Sequence, residues 1–117
     1  MTHWDNLWSF NTARFCVTCD AAPEDTDPAD SFCFDDDIEA VRSGAVDWFV
    51  ARVRVTMDGR EIGTDYLGGC AYARASDFVE GENRDGYFRD MVRQALREAR
   101  ATLAKTPKMR AMEGATP

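Results

Sequence analysis

The segment spanning residues 46–73 constrains the fold of this chain more than any other part of the sequence. Its first half, VDWFVARVRVTM, alternates apolar side chains as a half-buried strand does, and the pair Asp58-Gly59 that follows is typical of a two-residue type I′ turn. Counting outward from this turn places Arg52 opposite Asp65, where the two charges attract each other. We therefore predict a β-hairpin over residues 46–73.

Two adjacent glycines interrupt the return strand of this hairpin, within the sequence DYLGGC. The same register places Gly68 and Gly69 opposite Phe49 and Trp48. Because glycine weakens a strand, the pair needs a physical reason, which is either rings packing on bare backbone or a β-bulge. A phosphate-binding glycine loop is the functional alternative, but the sequence has no G-x-x-x-x-G-K-[ST] or G-x-G-x-x-G pattern. We therefore expect a structural role for the glycine pair.

A strand precedes the hairpin and a helix follows it. Residues 11–20 alternate as a strand does, with Phe15, Val17 and Cys19 on one face. The sequence GYFRDMVRQALREARATL carries apolar residues at three- and four-residue spacing, which predicts a C-terminal helix over residues 86–104. The remaining residues, 105–117, are expected to form a flexible tail.

An acidic loop and a short helix, residues 20–44, connect the first strand to the hairpin. In DDDIEAVRSG, Asp36 and Glu39 have the spacing of a capping box, and Gly44 supplies a left-handed terminator. Together these elements predict an α+β fold in a single domain of residues 1–117, with a three-stranded antiparallel sheet packed against a long C-terminal helix. Both hairpin faces carry apolar residues, so the sequence leaves open which face the helix covers and whether the other forms a homodimer.

Four cysteines raise the question of a metal site. Cys16 and Cys19 have the C-x2-C spacing of a zinc knuckle, but residues three apart in a strand point to opposite faces. No second C-x2-C follows, and Cys33 and Cys70 stand alone, so we expect buried free thiols. The aspartates of DTDPADSFCFDDD do not match the D-x-[DN]-x-[DN]-G calcium loop. Neither a metal nor a cofactor is predicted.

Charge is concentrated in two blocks. Residues 20–41 hold nine acidic side chains and no lysine or arginine, and the whole chain has a net charge of −7. The candidate partner-binding residues in this acidic block are Asp25, Asp27, Asp30, Asp35, Asp36, Asp37 and Glu39. The C-terminal helix carries arginines at four- and three-residue spacing, and these are candidate nucleic-acid-binding residues: Arg89, Arg93, Arg97 and Arg100.

The sequence allows three interpretations of these blocks. Both can be solvated faces whose opposite charges pair within the molecule. The arginine stripe can bind nucleic-acid phosphates or an acidic partner. The acidic block can instead imitate nucleic-acid phosphates and occupy a basic groove on another protein, an encounter that complementary fields accelerate.

The chain lacks the residue patterns of common enzymes, so we expect a non-enzymatic protein. The single histidine, His3, lies near the terminus, there is no G-x-S-x-G motif, and nothing singles out two carboxylates as a catalytic pair. No apolar run is long enough to cross a bilayer, so no membrane partner is expected. The N-terminal sequence MTHWDNLWSF lacks the pattern of a signal peptide, which favours a cytoplasmic location.

Two segments, WFVARVRVTMDGREIGTDYLGGCAYA and GYFRDMVRQALREARATL, resemble a group of small acidic proteins encoded by bacteriophages and prophages of proteobacteria. The likeness extends over most of residues 8–104, and DYLGGC and GYFRDMV are its most specific parts. The resemblance brings no catalytic residues. It implies a protein that binds and blocks bacterial host machinery, as anti-CRISPR inhibitors do. We therefore expect a host protein with a basic nucleic-acid-binding groove as the partner, in the host cytoplasm.

Overall fold

The structure, a computed structural model, describes residues 3–105 and shows an α+β fold. Four strands form one antiparallel sheet in chain order: β1 (Asp5–Asn11), β2 (Cys16–Pro23), β3 (Asp47–Met57) and β4 (Arg60–Tyr72). Helix α1 (Asp35–Arg42) lies between β2 and β3, and helix α2 (Tyr87–Lys105) follows β4. Short 3-10 segments occupy Pro28–Asp30, Ala75–Val79 and Gly81–Asp85.

Three of the predictions concern the helices and the C-terminal end of the chain. Neither α1 nor α2 combines the length and the apolar character that a bilayer-crossing helix needs. The predicted C-terminal helix is confirmed within one residue at each end. The predicted tail lies, apart from Lys105, outside the described residues.

The sheet has four strands rather than the predicted three, because the chain reverses direction between Asn11 and Cys16. The Thr12 hydroxyl accepts a hydrogen bond from the Phe15 N–H at 2.8 Å, and the Thr12 N–H donates to the Phe15 carbonyl oxygen, also at 2.8 Å. This turn ends β1 and leads into β2, so the single strand predicted over residues 11–20 was wrong in its first half. The sequence did not reveal β1 because a bulge interrupts the alternation of its side chains.

Helix α2 packs on one face of the sheet, which we call the covered face. Its buried side chains recur at the predicted three- and four-residue spacing: Phe88, Met91, Ala95, Ala99 and Leu103. On β3 the buried residues alternate and point the same way: Phe49, Ala51, Val53 and Val55. The side chains between them point to the opposite side, the open face, where they are half-buried. The sequence left the choice between these faces undecided, and the structure places the helix over Phe49.

The hairpin turn forms as predicted, but the strand register beyond it differs. Asp58 and Gly59 have positive φ angles of 52° and 77°, as a type I′ turn requires. Close to the turn β4 carries one extra residue, Ile62, which shifts every pair that follows. Arg52 therefore lies opposite Tyr66, and its predicted pairing with Asp65 was wrong.

The glycine pair forms a second bulge in β4. Between the pair Phe49–Cys70 and the next pair toward the turn, β4 contributes two glycines and β3 a single residue. Gly69 has a φ of +66°, a conformation that glycine adopts without strain. A ring atom of Trp48 lies 3.4 Å from the position that a Gly69 Cβ would occupy. The bulge is thus confirmed, whereas the predicted pairing of these glycines with Phe49 and Trp48 was wrong.

The backbones of α2 and β4 touch at Gly63. A Cβ atom there would overlap the carbonyl oxygen of Ala95 and would lie 2.9 Å from the backbone nitrogen of Ala99. Both alanines are fully buried. Small residues on the strand and on the helix are therefore what allows the two elements to approach this closely.

We expect Gly63→Ala to lower the free energy of unfolding by about 1–3 kcal/mol, because the added methyl group overpacks the helix contact. Gly68→Ala is the matched control, since a Cβ there meets nothing closer than the Glu24 carboxylate at 3.6 Å. Urea unfolding followed by circular dichroism would measure both variants. Equal losses of stability in the two variants would contradict the close contact.

Candidate functional site

The seven acidic residues that the sequence singles out lie on one connection, between β2 and β3, and we call them the acidic surface. Three lie in the loop and 3-10 turn after β2 and four lie on α1: Asp25, Asp27, Asp30, Asp35, Asp36, Asp37 and Glu39. All seven residues are exposed to solvent. Their role in binding a partner stays a prediction, but the outward display that this role requires is present.

Asp27 differs from the other six because it is engaged within the fold. Its carboxylate accepts a hydrogen bond from the Ala29 N–H at 2.9 Å and lies 3.2 Å from the Arg42 guanidinium. These contacts lower the pKa of Asp27, the backbone hydrogen bond more than Arg42. For the other six, no ion pair within 4.0 Å is formed with any residue from 3 to 105.

Helix α1 carries part of the acidic surface outside the hydrophobic core. None of its residues is buried, and Phe34, which directly precedes it, is 72% exposed. Its C-terminal end is attached by the Asp27–Arg42 pair and by a hydrogen bond of 3.2 Å from the Val46 N–H to the Ala40 carbonyl oxygen. The helix is therefore held at one end while its acidic first turn faces solvent.

The two ends of α1 only partly follow the sequence prediction. Phe34 is the cap residue and makes no side-chain capping bond, so the capping box predicted for Asp36 and Glu39 was wrong. Asp36 lies inside the first turn with two other aspartates, where carboxylates interact favourably with the helix dipole. Gly44 has a φ of +81° just beyond the helix, which confirms the predicted terminator.

The arginines of α2 find partners on or next to their own helix rather than on the acidic surface. Arg89 lies 3.5 Å from Asp85 and Arg93 lies 3.9 Å from Asp90, and these side chains are more than half exposed. Arg97 donates a hydrogen bond to Gln94 at 3.3 Å. Arg100, the fourth candidate, is also exposed. Within residues 3–105, none of these arginines neutralises a carboxylate of the acidic surface.

Asp20, the first acidic residue of the charged block, has a structural role that the sequence did not reveal. It is 6% exposed on the open face, and one carboxylate oxygen lies 3.1 Å from the Arg52 guanidinium. Its other oxygen accepts a hydrogen bond from the Asn6 side chain at 3.1 Å. The Trp4 ring stacks over Arg52, with the guanidinium carbon 3.9 Å from the ring centre. Because Asn6 lies on β1 and Trp4 directly precedes it, the pair could not be recognised without that strand.

The middle of the open face is polar, which differs from the second apolar face suggested by the sequence. Three buried atoms there, Thr18 Oγ1, Arg52 Nε and Arg54 Nε, make no hydrogen bond within the described residues. Thr18 and Arg54 lie opposite each other on β2 and β3, so the three atoms share one patch. His3 lies apart from it, 2.8 Å from Asp5, with both side chains more than 70% exposed.

The cysteines follow the strand geometry. Cys19 is buried on the covered face and Cys16, which points the other way, is half-buried, so the two thiols are separated by the sheet. The expectation of buried thiols is confirmed for Cys19 and Cys70 and is wrong for Cys33, which is exposed. In residues 3–105, no three His, Cys, Asp or Glu side chains are grouped so that they could hold a metal ion. Burial raises the pKa of Cys19 to about 12 and that of Cys70 to about 11.

The buried ion pair yields a stability prediction. Asp20→Ala should lower the free energy of unfolding by roughly 3–5 kcal/mol, because it leaves the Arg52 guanidinium buried without a counter-charge. Asp85→Ala is the control and should cost far less, since both members of its pair with Arg89 are more than half exposed. Denaturant midpoints would report both values. A loss at Asp20 no larger than that at Asp85 would contradict a structural ion pair.

Thiol accessibility yields a second prediction. At pH 8 and without denaturant, Cys33 should react fastest with a thiol-specific reagent, because it is exposed. Cys19 and Cys70 should react only on unfolding, since both are buried and both pKa values lie well above that pH. Mass spectrometry of the labelled protein with and without urea would assign each site. Rapid labelling of Cys19 in the folded protein would show that the covered face is not sealed.

Comparison with known proteins assigns no family to the chain. Models of protein families, curated protein sequences and solved structures were all searched, and none of them matches. The functional interpretation therefore depends on the residues and contacts described above.

Proposed function

We propose that this protein is a non-enzymatic binding protein that docks its acidic surface on a basic, nucleic-acid-binding groove of another protein. The observation that supports this most directly is that six exposed carboxylates on one connection have no cationic partner among residues 3–105. A surface that served only solubility would gain nothing from concentrating charge of one sign. Concentrated charge does accelerate association with a surface of opposite sign.

The position of the acidic surface on α1 favours a docking role. Phosphates of nucleic acid present regularly spaced negative charges, and Asp35, Asp36 and Asp37 present three successive ones in the first turn of a helix. Because no residue of α1 is buried, the helix can contact a partner without disturbing the hydrophobic core. The carboxylates therefore stay hydrated until a partner replaces the water.

The resemblance to small acidic proteins of bacteriophages and prophages suggests which partners to examine first. Anti-CRISPR inhibitors act in the bacterial cytoplasm on effector complexes that hold nucleic acid in positively charged channels. We propose an inhibitor of this kind, which competes with nucleic acid for such a channel. The inhibitor proposal is more specific than the proposal of a binding protein. It can be wrong while the more general proposal is right.

Displacement of DNA tests the proposal directly. Fluorescence anisotropy would follow labelled target DNA bound to a panel of purified CRISPR effector–guide complexes while the protein is added. We expect displacement by the native protein and about a tenfold weaker effect for the triple variant Asp35→Asn, Asp36→Asn, Asp37→Asn, since each lost contact contributes roughly 0.5 kcal/mol. The effect of these substitutions should shrink when salt is raised from about 50 to about 300 mM.

A matched control separates the acidic surface from net charge. The triple variant Asp58→Asn, Glu61→Gln, Glu98→Gln removes the same number of charges from exposed positions elsewhere. It should displace DNA nearly as well as the native protein. An equal loss in both triple variants would attribute the effect to overall charge, and failure of the native protein to displace DNA from any complex would contradict the inhibitor proposal.

Binding of nucleic acid by the arginine stripe is the weaker alternative. Arg89 and Arg93 already lie near aspartates, and Asp90 and Glu98 stand between the arginines on the helix surface. The same anisotropy assay, with labelled DNA or RNA and no effector, tests it. An increase in anisotropy that Arg93→Ala and Arg97→Ala abolish would favour this alternative over the acidic surface.

A further inference from the structure

A cavity of about 310 Å³ opens at the outer edge of β4, beside the glycine bulge. Its lining consists of Phe32, the β4 residues from Leu67 to Tyr72, and Tyr87, and we call it the aromatic notch. β4 is the last strand of the sheet, so the notch lies at an edge that no other described strand covers. Its volume is at the small end of ligand pockets and suits one side chain rather than a large cofactor.

The bulge makes the floor of the notch. Gly68 and Gly69 carry no side chains into the space, and Trp48 packs behind Gly69 at 3.4 Å from its absent Cβ. Phe32 packs on the same indole, with ring centres 5.5 Å apart. The glycine pair thus has a second consequence besides the bend in β4, because it leaves a hollow between aromatic rings.

The walls of the notch are aromatic, and one of them is free to contact a ligand. Tyr72 is fixed by Phe49 and Phe78, whose ring centres lie 5.9 and 5.4 Å away. Tyr87, at the start of α2, is 65% exposed and makes no ring contact with another aromatic side chain among the described residues. Tyr87 therefore offers a ring face to a ligand in the notch.

Carboxylates lie beside the notch, and no cationic side chain among residues 3–105 lines it. The two carboxylate oxygens of Glu24 lie 3.6 and 3.7 Å from where a Gly68 Cβ would be. An adjoining cleft shares Ala71 and Tyr72 with the notch, and its acidic lining residues are Asp77, Glu80 and Glu82. Among residues 3–105, neither lining includes lysine, arginine or histidine. Asp77 pairs with Arg74 at 3.6 Å, whereas Glu24, Glu80 and Glu82 form no ion pair among residues 3–105, so a cation would be attracted here and an anion repelled.

We propose that the aromatic notch binds the guanidinium group of an arginine side chain from a basic partner. Guanidinium stacks flat on aromatic rings and also pairs with carboxylates; aromatic rings line the notch, and the Glu24 carboxylate lies beside Gly68, one of its lining residues. Lysine carries the same charge but stacks less well because its ammonium is compact and strongly hydrated. The inference rests on the proposed function for the existence of a basic partner, and it adds a pocket that anchors one residue of that partner.

A labelled octa-arginine peptide serves as the probe, and fluorescence anisotropy measures its dissociation constant at about 50 and about 300 mM salt. Tyr87→Ala and Glu24→Gln should each raise that constant about three- to tenfold, and the effect of Tyr87→Ala should persist at the higher salt because stacking is not screened. Octa-lysine should bind more weakly than octa-arginine at the higher salt. Phe10→Ala is the control, since Phe10 is an exposed aromatic residue on β1, the opposite edge strand.

The outcomes separate this inference from the proposed function. If the notch variants bind octa-arginine as the native protein does, or if the native protein does not bind it, the notch assignment is overturned. If only the triple aspartate variant weakens binding, the acidic surface stands and the notch does not. If only the notch variants weaken it, the notch stands and the acidic surface does not. Unfolding midpoints of Tyr87→Ala and Glu24→Gln would verify that both variants remain folded.

Discussion

The contact between α2 and the sheet determines where every other described element lies. Near the hairpin turn, Gly63 meets Ala95 and Ala99, so the helix and strand backbones touch. Toward the start of the helix the spacing is filled by large rings, since Phe88 packs edge-on against Phe78 with ring centres 6.2 Å apart. The buried side chains of α2 are therefore large at Phe88 and Met91, small at Ala95 and Ala99, and large again at Leu103. The small residues lie where the helix meets Gly63, which is what permits the close approach there.

The strands and α2 form the hydrophobic core, and the connection between β2 and β3 lies outside this core. Within residues 24–46, Pro28 is the one residue classed as buried. Acidic side chains can accumulate on such a segment because none of them has to lose its hydration. Asp20 lies at the boundary between the sheet and this connection. It belongs to β2, and its contacts with Arg52 and Asn6 compensate for the burial of its charge. The acidic surface starts where the sheet ends.

The sequence predicted the elements that local patterns specify and failed where contacts between distant segments decide. The Asp58-Gly59 turn and the apolar spacing of α2 are local, and both were identified correctly. The bulge at Ile62 was not predictable from alternation alone, since it depends on how β4 fits beneath α2. The alternation of residues 11–20 concealed the turn between β1 and β2. The sequence therefore predicted neither β1 nor the burial of Asp20, to which β1 contributes. Of the candidate site, the exposure of the acidic residues was predictable, whereas the notch required knowing where Phe32 and Tyr87 meet β4.

The separation between core and charged segment also determines how the protein tolerates its own charge. Carboxylates on α1 repel each other, but they do so in water, where each interaction is weak and screened by salt. The helix dipole favours the carboxylates of the first turn, and the Asp27–Arg42 pair and the Val46–Ala40 hydrogen bond attach the other end of α1. We therefore expect substitutions at the six acidic-surface residues other than Asp27 to have little effect on the fold, whereas substitutions at Asp20 or Gly63 should destabilise it. The notch joins both parts of the structure, since its floor belongs to β4 and Phe32 lies on the connection that carries the acidic surface.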